Sequence, residues 1–429
     1  MSEQVHRADA VYGIGRDLPL NYVQRENVDD TFVENLARDK HVVVFGSSKQ
    51  GKTSLRKYTL QDTDCVTVSC LNTMSLNELH SAVLKAIGYK IEISSTKSQS
   101  GSFKVLAKFT GKGKVPFFAS ASGELGLEHQ KQFDNSTTSQ SLELELNDVN
   151  DIIAAINEAN FSKFIVLEYF HYLPVDTQRN FCFALKSFHE NSKICFIITG
   201  VWREQGRLEY YNGDLNGRIV SIDVDEWSSN ELAEVVRAGE ALLNVKFDQK
   251  FLDDLFVNSY DSVHIIQEAC LKVCQDSGFY ETQRELKLVG TDINAKDLVE
   301  KIVVGQAGRY NAFITNFAEG FQKTELEMYK WLIYAVITCD ISQIERGLRR
   351  GDISEKIKHH HPEGGALNEG NITQALQNAA SLQVQKSVRP IVIDYDQTTK
   401  VLHVVDKSFL VWLAHQDATE IAKELGIPV

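Results

Sequence analysis

The sequence predicts an α/β chain: a parallel-sheet core carrying an inserted hairpin, followed by a helical lid and a C-terminal winged helix. Three observations carry this expectation. Short apolar runs alternate with helix-patterned segments through the first half of the chain, as buried parallel strands and their crossover helices do. One of those runs passes through a glycine-bounded loop straight into a helix-compatible segment. The C-terminal part reads as helices followed by two β-rich runs.

Composition sets the frame for these elements. At 429 residues the chain exceeds one ordinary core and suits about two or three domains. Apolar residues make up 43% and charged residues 24%, near globular values. No run reaches the roughly 18 apolar residues that a bilayer span needs, so no membrane partner is expected. The first residues, MSEQVHRADAVYGIGRD, carry charges where a secretory signal would be apolar, which points to a cytoplasmic location. Seven cysteines, odd in number and mostly inside apolar segments, read as reduced core thiols. Cys270 and Cys274 lie one helical turn apart with no second pair at ligand spacing, so zinc has little support. His359 to His361 read as a solvated loop beside Pro362.

After an N-terminal segment, 1–19, the core is expected over 20–226. It opens with KHVVVFGSSKQGKTSLRKYTL from Lys40, a strand, loop and helix. Further strands are expected at Cys65 to Cys70, Phe164 to Leu167, Ile194 to Thr199 and Ile219 to Val224. Between the second and third of the five runs, about 94–141 reads as an insertion rich in Ser, Lys, Gly and Thr. Its middle, SFKVLAKFTGKGKVPFFASA, alternates loosely around Thr110-Gly111-Lys112-Gly113 as a β-hairpin would. From Trp227 the pattern turns helical, and an all-α lid is expected over 227–310. The winged helix is assigned to 325–429, with helices before Lys386 and a closing hairpin of RPIVIDYD and KVLHVVD.

The chemistry concentrates in Gly46, Ser47, Ser48, Lys49, Gln50, Gly51, Lys52 and Thr53, with Ser54 next in the helix. This octet fills G-x-x-x-x-G-K-[ST] after an apolar strand and before a helix, the context that makes the motif specific. The glycines let consecutive backbone N–H groups face phosphate oxygens, and the helix adds its positive end. Lys52 is placed on the β- and γ-phosphates and the Thr53 hydroxyl on Mg²⁺. The expected ligands are therefore ATP and Mg²⁺. Glu168, ending the run Phe164 to Leu167, is the expected second carboxylate-side support of the metal. A second acid would normally follow it to polarise water, but Tyr169 stands there. Loss of a general base commonly costs about 10²–10⁴ in rate, so slow hydrolysis is expected. Among cations near strand ends, Arg203 is read as a sensor of the γ-phosphate in cis. Arg218 is read as a finger reaching a neighbouring subunit.

Taken together, the P-loop, the Glu168 strand, the strand before Arg203, the Asp-Leu-Asn-Gly-Arg218 corner, the lid and the terminal winged helix resemble the AAA+ and STAND (signal transduction ATPases with numerous domains) group. The upstream Tyr22-Val23-Gln24-Arg25-Glu26 belongs to the same resemblance, which spans most of 20–412. It implies that Tyr22, Val23 and Arg25 lie near adenine and that His264, in the lid, reports on nucleotide. Bacterial members of such groups often serve in conflict and anti-phage defence.

Two functions follow from different classes. One is an ATP-controlled switch in which nucleotide closes lid and winged helix and so governs homo-oligomer assembly or an effector protein. The other is an ATP-dependent DNA-handling protein. Charge separates them: the net charge is −13, and 325–429 holds 11 Lys and Arg against 14 Asp and Glu. A DNA-reading winged helix needs several phosphate contacts, so this one suits protein packing better. The insertion differs, because Lys97, Lys104, Lys108, Lys112 and Lys114 stand in a stretch without acids. Nucleic acid, if bound at all, is expected there or on the winged helix.

Overall fold

The computed structural model describes residues 4–15, 17–97, 103–109, 141–225 and 227–427. Its centre is a five-stranded sheet built from β1 (His41–Phe45), β2 (Cys65–Ser69), β6 (Phe164–Glu168), β7 (Phe196–Thr199) and β8 (Ile219–Asp223). The spatial order is β2-β6-β7-β1-β8 and every pairing is parallel. All five residues of β1 are buried, because helices cover both faces of its sheet. Period-two alternation sends Val43 and Phe45 into one apolar layer and Val42 and Val44 into the other. The sheet thus places the loop after β1 at the carboxyl ends of its neighbours, where α/β proteins bind ligands.

The insertion differs from the hairpin expected around Thr110 to Gly113, a turn outside the described residues. Here β4 (Phe103–Phe109) pairs antiparallel with the upstream β3 (Tyr89–Lys97) and, on its other side, with β5 (Ser141–Leu144). The alternation begins five residues before the expected boundary of about 94. Tyr89 is buried there while Lys90 and Glu92 are exposed. The Tyr89 ring meets Phe109 at 5.2 Å and its hydroxyl donates to Ala155 O at 2.7 Å. That anchors the small sheet to the helix Val149–Glu158.

Beyond the core, helices Ser229–Leu243, Gln249–Asn258, Val263–Asp276, Ala295–Val304 and Ala307–Ala318 form the lid region. It is not all-α, since β9 (Val245–Phe247) pairs in parallel with β10 (Lys287–Val289). The C-terminal unit runs Met328–Ile337, Ile341–Arg346, β11 (Leu348–Arg349), Arg350–His360, Glu369–Gln377, Ala379–Gln385, β12 (Ile393–Asp396) and β13 (Val401–Val404). Its three strands order as β11-β13-β12. The helix Lys407–Leu413 then returns to the lid, where Phe409 meets Tyr310 at 5.4 Å and Phe313 at 5.6 Å. Lid and C-terminal unit share one continuous apolar core, joined by Ala8, Val11 and Tyr12 of the short N-terminal helix. Among the described residues no helix is long and apolar enough to cross a membrane.

Candidate nucleotide site

The site begins where β1 ends. Gly46 has φ 142°, and a Cβ there would stand 2.9 Å from Val224 Cγ2 and 3.1 Å from Asp225 Oδ1, so only glycine lets the loop pass β8. Gly51, at φ 92°, turns the chain into the helix Lys52–Thr59. Asp225 holds the loop from below. Ser47 N–H donates to its Oδ1 at 2.7 Å, the Ser47 hydroxyl to Oδ2 at 2.6 Å, and the Arg203 guanidinium closes on the same Oδ2. Burial alone would raise this carboxyl, but Arg203, Lys407, Lys52 and the Ser47 hydroxyl outweigh it and keep the group below its ordinary value.

Lys52 folds back on the loop, donating to Gly46 O at 3.0 Å and Ser47 O at 2.5 Å. Burial pushes its ammonium down to about 8. Lys49, at φ 63°, reaches up to the lid, with Nζ 2.9 Å from His264 Nε2. Burial and the neighbouring Lys49 charge push His264 down to about 3. Its Nε2 therefore accepts from the lysine and its Nδ1 carries the proton. Ser48 N–H donates to Val405 O at 2.7 Å; this contact reaches from the loop to the end of the C-terminal hairpin.

A cavity of about 630 Å³ opens over the loop, lined by Ser48 through Ser54, Glu168, Tyr169, His171, Thr199, His264 and Gln267. Three of these side chains hold buried polar atoms without a partner among the described residues: both amide atoms of Gln50, His171 Nε2 and His264 Nδ1. An unsatisfied buried polar group costs about 1–3 kcal/mol, and three residues carrying such atoms line this one cavity, which fits a polar ligand there. The donor set of loop N–H groups and Lys52 suits an anionic one.

Glu168 ends β6 beside this cavity, its Oε1 3.3 Å from Arg56 Nε of the loop's helix. Tyr169 takes a left-handed turn, φ 61°, with 47% of its surface exposed. Tyr22, Val23 and Arg25 do not line the cavity; Gly13, Ile14, Gly15, Asp17 and Pro19 do. The buried Asp29 claims the Tyr22 hydroxyl at 2.5 Å and the Arg25 N–H at 2.9 Å. The Arg25 guanidinium donates to Val224 O at 2.9 Å and lies over Trp227, while Val23 packs on the lid core.

Neither arginine reaches the cavity of its own chain. Arg203 is taken by Asp225. Arg218 precedes β8, so it lies at the amino ends of the parallel strands, opposite the loop, bound to Glu190 at 2.7 Å and to Asp214 O. In the insertion Lys104 stands 3.8 Å from Glu143; the Lys97 side chain, Lys112 and Lys114 lie outside the described residues. Sequence reasoning missed Asp225, Thr199, His171 and the Gly13 to Pro19 strap. Asp225 and Thr199 were findable, because each follows or ends an apolar strand run as Glu168 does.

No family model and no curated protein matches the sequence. Among solved structures, the fold matches a Walker-type ATPase of Pyrococcus abyssi at TM-score 0.50 and 12% identity, covering 92% of this chain and 99% of that one. Lower scores relate it to Orc1 of Aeropyrum pernix in complex with DNA (TM-score 0.44, 10% identity, 99% and 98% covered). A STAND protein with a tetratricopeptide repeat sensor from Pyrococcus horikoshii matches at TM-score 0.36 and 12% identity, over 94% of this chain and 44% of that one. The fold is that of the P-loop ATPases, as the loop and the alternating runs led us to expect.

Proposed function

We propose that this chain is a nucleotide switch that binds ATP with Mg²⁺ between loop and lid. The terminal phosphate sets whether the C-terminal unit stays docked, and through docking it controls assembly with further copies or capture of an effector protein. The observation that carries this reading is the bond from Ser48 N–H to Val405 O, 2.7 Å long. A loop that must wrap phosphate is held directly by the unit it would control. Lys52 and the loop N–H groups would hold the phosphates, and Thr53 and Glu168 the metal, which neutralises phosphate charge. Turnover is slow on this reading because Tyr169 replaces the acid that would polarise water. Arg218, pointing away from its own cavity, is the residue offered to a neighbouring subunit.

The C-terminal unit, read as a winged helix, suits protein rather than DNA. Three of its cations are engaged by acids: Lys386 with Glu319 at 2.9 Å, Arg350 and Lys358 with Glu369 at 2.9 and 2.6 Å. Sizing the protein with ADP, with a non-hydrolysable ATP analogue, and with random duplex DNA tests the reading. A change of assembly or hydrodynamic radius between the two nucleotides is expected. Identical profiles with both nucleotides would sink the switch, and salt-steep duplex binding lost when Lys104 and Lys108 become glutamates would make it a DNA-handling protein instead.

A further inference from the structure

We infer that His171 reads the terminal phosphate, donating a neutral imidazole N–H to it and passing its presence to the C-terminal unit. This rests on the nucleotide reading above and names the residue that tells triphosphate from diphosphate. His171 lies in the short turn after Glu168, and its ring lines the nucleotide cavity together with Lys52, Glu168 and Thr199. Val201 N–H donates to its Nδ1 at 3.2 Å. Nδ1 is thus the acceptor, and in the neutral ring the proton sits on Nε2. That N–H is buried and has no partner among the described residues. Burial is the main reason the ring stays neutral, helped by the facing cations Lys52, Arg207 and Arg389. A buried donor beside the lysine of the loop and the carboxylate that ends β6 is satisfied by a phosphate oxygen at the position where those groups converge. On this assignment the oxygen belongs to the terminal phosphate, which a diphosphate lacks.

The other side of the ring gives the route outward. His171 also lines a second cleft, about 540 Å³, between the core and the helices Glu369–Gln377 and Ala379–Gln385. Its ring meets Tyr172 at 4.1 Å, Arg389 lies over Tyr172 at 4.9 Å, and Arg389 donates to Asn72 Oδ1 at 2.7 Å. Val201, whose N–H fixes the ring, packs its side chain with Val384, Ile391 and Val405 of the C-terminal unit. Val405 is the residue whose carbonyl holds the Ser48 N–H. His171 is thus linked through Val201 to the residue whose carbonyl holds the Ser48 N–H.

The test compares affinities for ADP and for a non-hydrolysable ATP analogue in wild type, His171→Phe and His171→Gln. Phe keeps the ring packing and removes the donor. Gln restores both functions, since its carbonyl can accept from Val201 N–H while its amide donates. His171→Phe should weaken the ATP analogue by about 10- to 100-fold, the range of a hydrogen bond to a charged group, with ADP affinity kept and Gln restoring the difference. Equal weakening of both nucleotides, or no change in either, overturns the role of His171 while leaving nucleotide binding intact. Failure of wild type to bind either nucleotide overturns both readings. Should the Phe variant not fold, ¹⁵N-histidine NMR on wild type decides: an Nε2 proton protected from exchange by the ATP analogue but not by ADP supports the assignment, and equal protection defeats it.

Discussion

The central sheet and the region beyond it are held together in contrasting ways. Each face of the sheet carries its own apolar layer, and the lid, the C-terminal unit and the N-terminal helix share a third. Across the seam between core and C-terminal unit the apolar contact shrinks to Val201, Val384, Ile391 and Val405 with Tyr172 and Ala380 at its edge. Most of what crosses there is polar: Arg207 with Asp394 at 2.5 Å, Arg389 with Asn72, Thr398 with Glu204 at 3.0 Å, and Ser48 with Val405. The difference teaches where the molecule divides. Apolar burial makes lid and C-terminal unit one body, and the division falls at the nucleotide cavity, not at the 310–325 link. Small polar interfaces are the kind across which domains move.

Acid should break the contrast most strongly. Burial pushes His41 and His403 down to about 4, His264 to about 3, and lowers His80 and His171 as well. Each folded value lies below the ordinary 6.5. Below that pH the unfolded chain takes up protons the folded chain refuses, so stability present at pH 7 is lost as pH falls toward about 4. At pH 5 His41, His264 and His403 each remove about 2 kcal/mol, and His80 and His171 act in the same direction. Three of these five, His171, His264 and His403, flank the cavity and seam, whereas His41 begins β1 and His80 packs on the core, so hydrogen exchange corrected for its intrinsic pH dependence should rise further at the seam than in β1 between pH 7 and 5. Uniform loss would mean the seam is no weaker than the sheet.

Next in size is Phe409→Ala, which empties a site among Tyr310, Phe313 and Trp412. Such a truncation costs about 3–5 kcal/mol. If lid and C-terminal unit are one body, both should lose exchange protection together while the central sheet keeps its own. Loss confined to the C-terminal helices would restore them as separate domains. The smallest effect on the fold is expected from Lys52→Ala. Removing a buried ammonium already pushed down to about 8 should leave thermal stability of the free protein unchanged or slightly higher. Nucleotide affinity, measured by calorimetry, should fall by about 100-fold or more, and unchanged affinity in the folded variant would refute the site.

What was legible in the sequence was local. The octet from Gly46 to Thr53 could be read because glycine geometry and a flanking strand and helix are short-range properties, and the apolar runs of β1, β2, β6, β7 and β8 stand out for the same reason. Ser47 and Asp225 lie far apart in the chain, and no periodicity announces that one carboxylate will grip the loop. That Tyr22 and Arg25 stand outside the cavity lining was hidden for a similar reason. Their side chains satisfy Asp29, Val224 and Trp227 before any ligand, a competition visible only once β8 and the lid are in position. The partner of β4 was misjudged because a Thr-Gly-Lys-Gly turn looks like a hairpin centre, whereas alternation at Tyr89 and Ile91 had already supplied a strand.

The strap over the cavity carries a consequence of its own. Tyr12 is pinned under the helix Ser229–Leu243: its hydroxyl donates to Val236 O at 2.7 Å, and a Cβ on Gly239 would meet its ring at 2.2 Å. Gly13, Ile14, Gly15, Asp17 and Pro19 then line the pocket before the chain returns, with Leu20 N–H bonded to Ala10 O at 3.1 Å. A ligand in this pocket would lie against a short glycine-bearing peptide that the lid helix anchors through Tyr12. How readily that peptide moves would then bear on the rate of release, while the loop after β1 would bear on affinity, so lifetime and affinity would be set by different parts of the molecule.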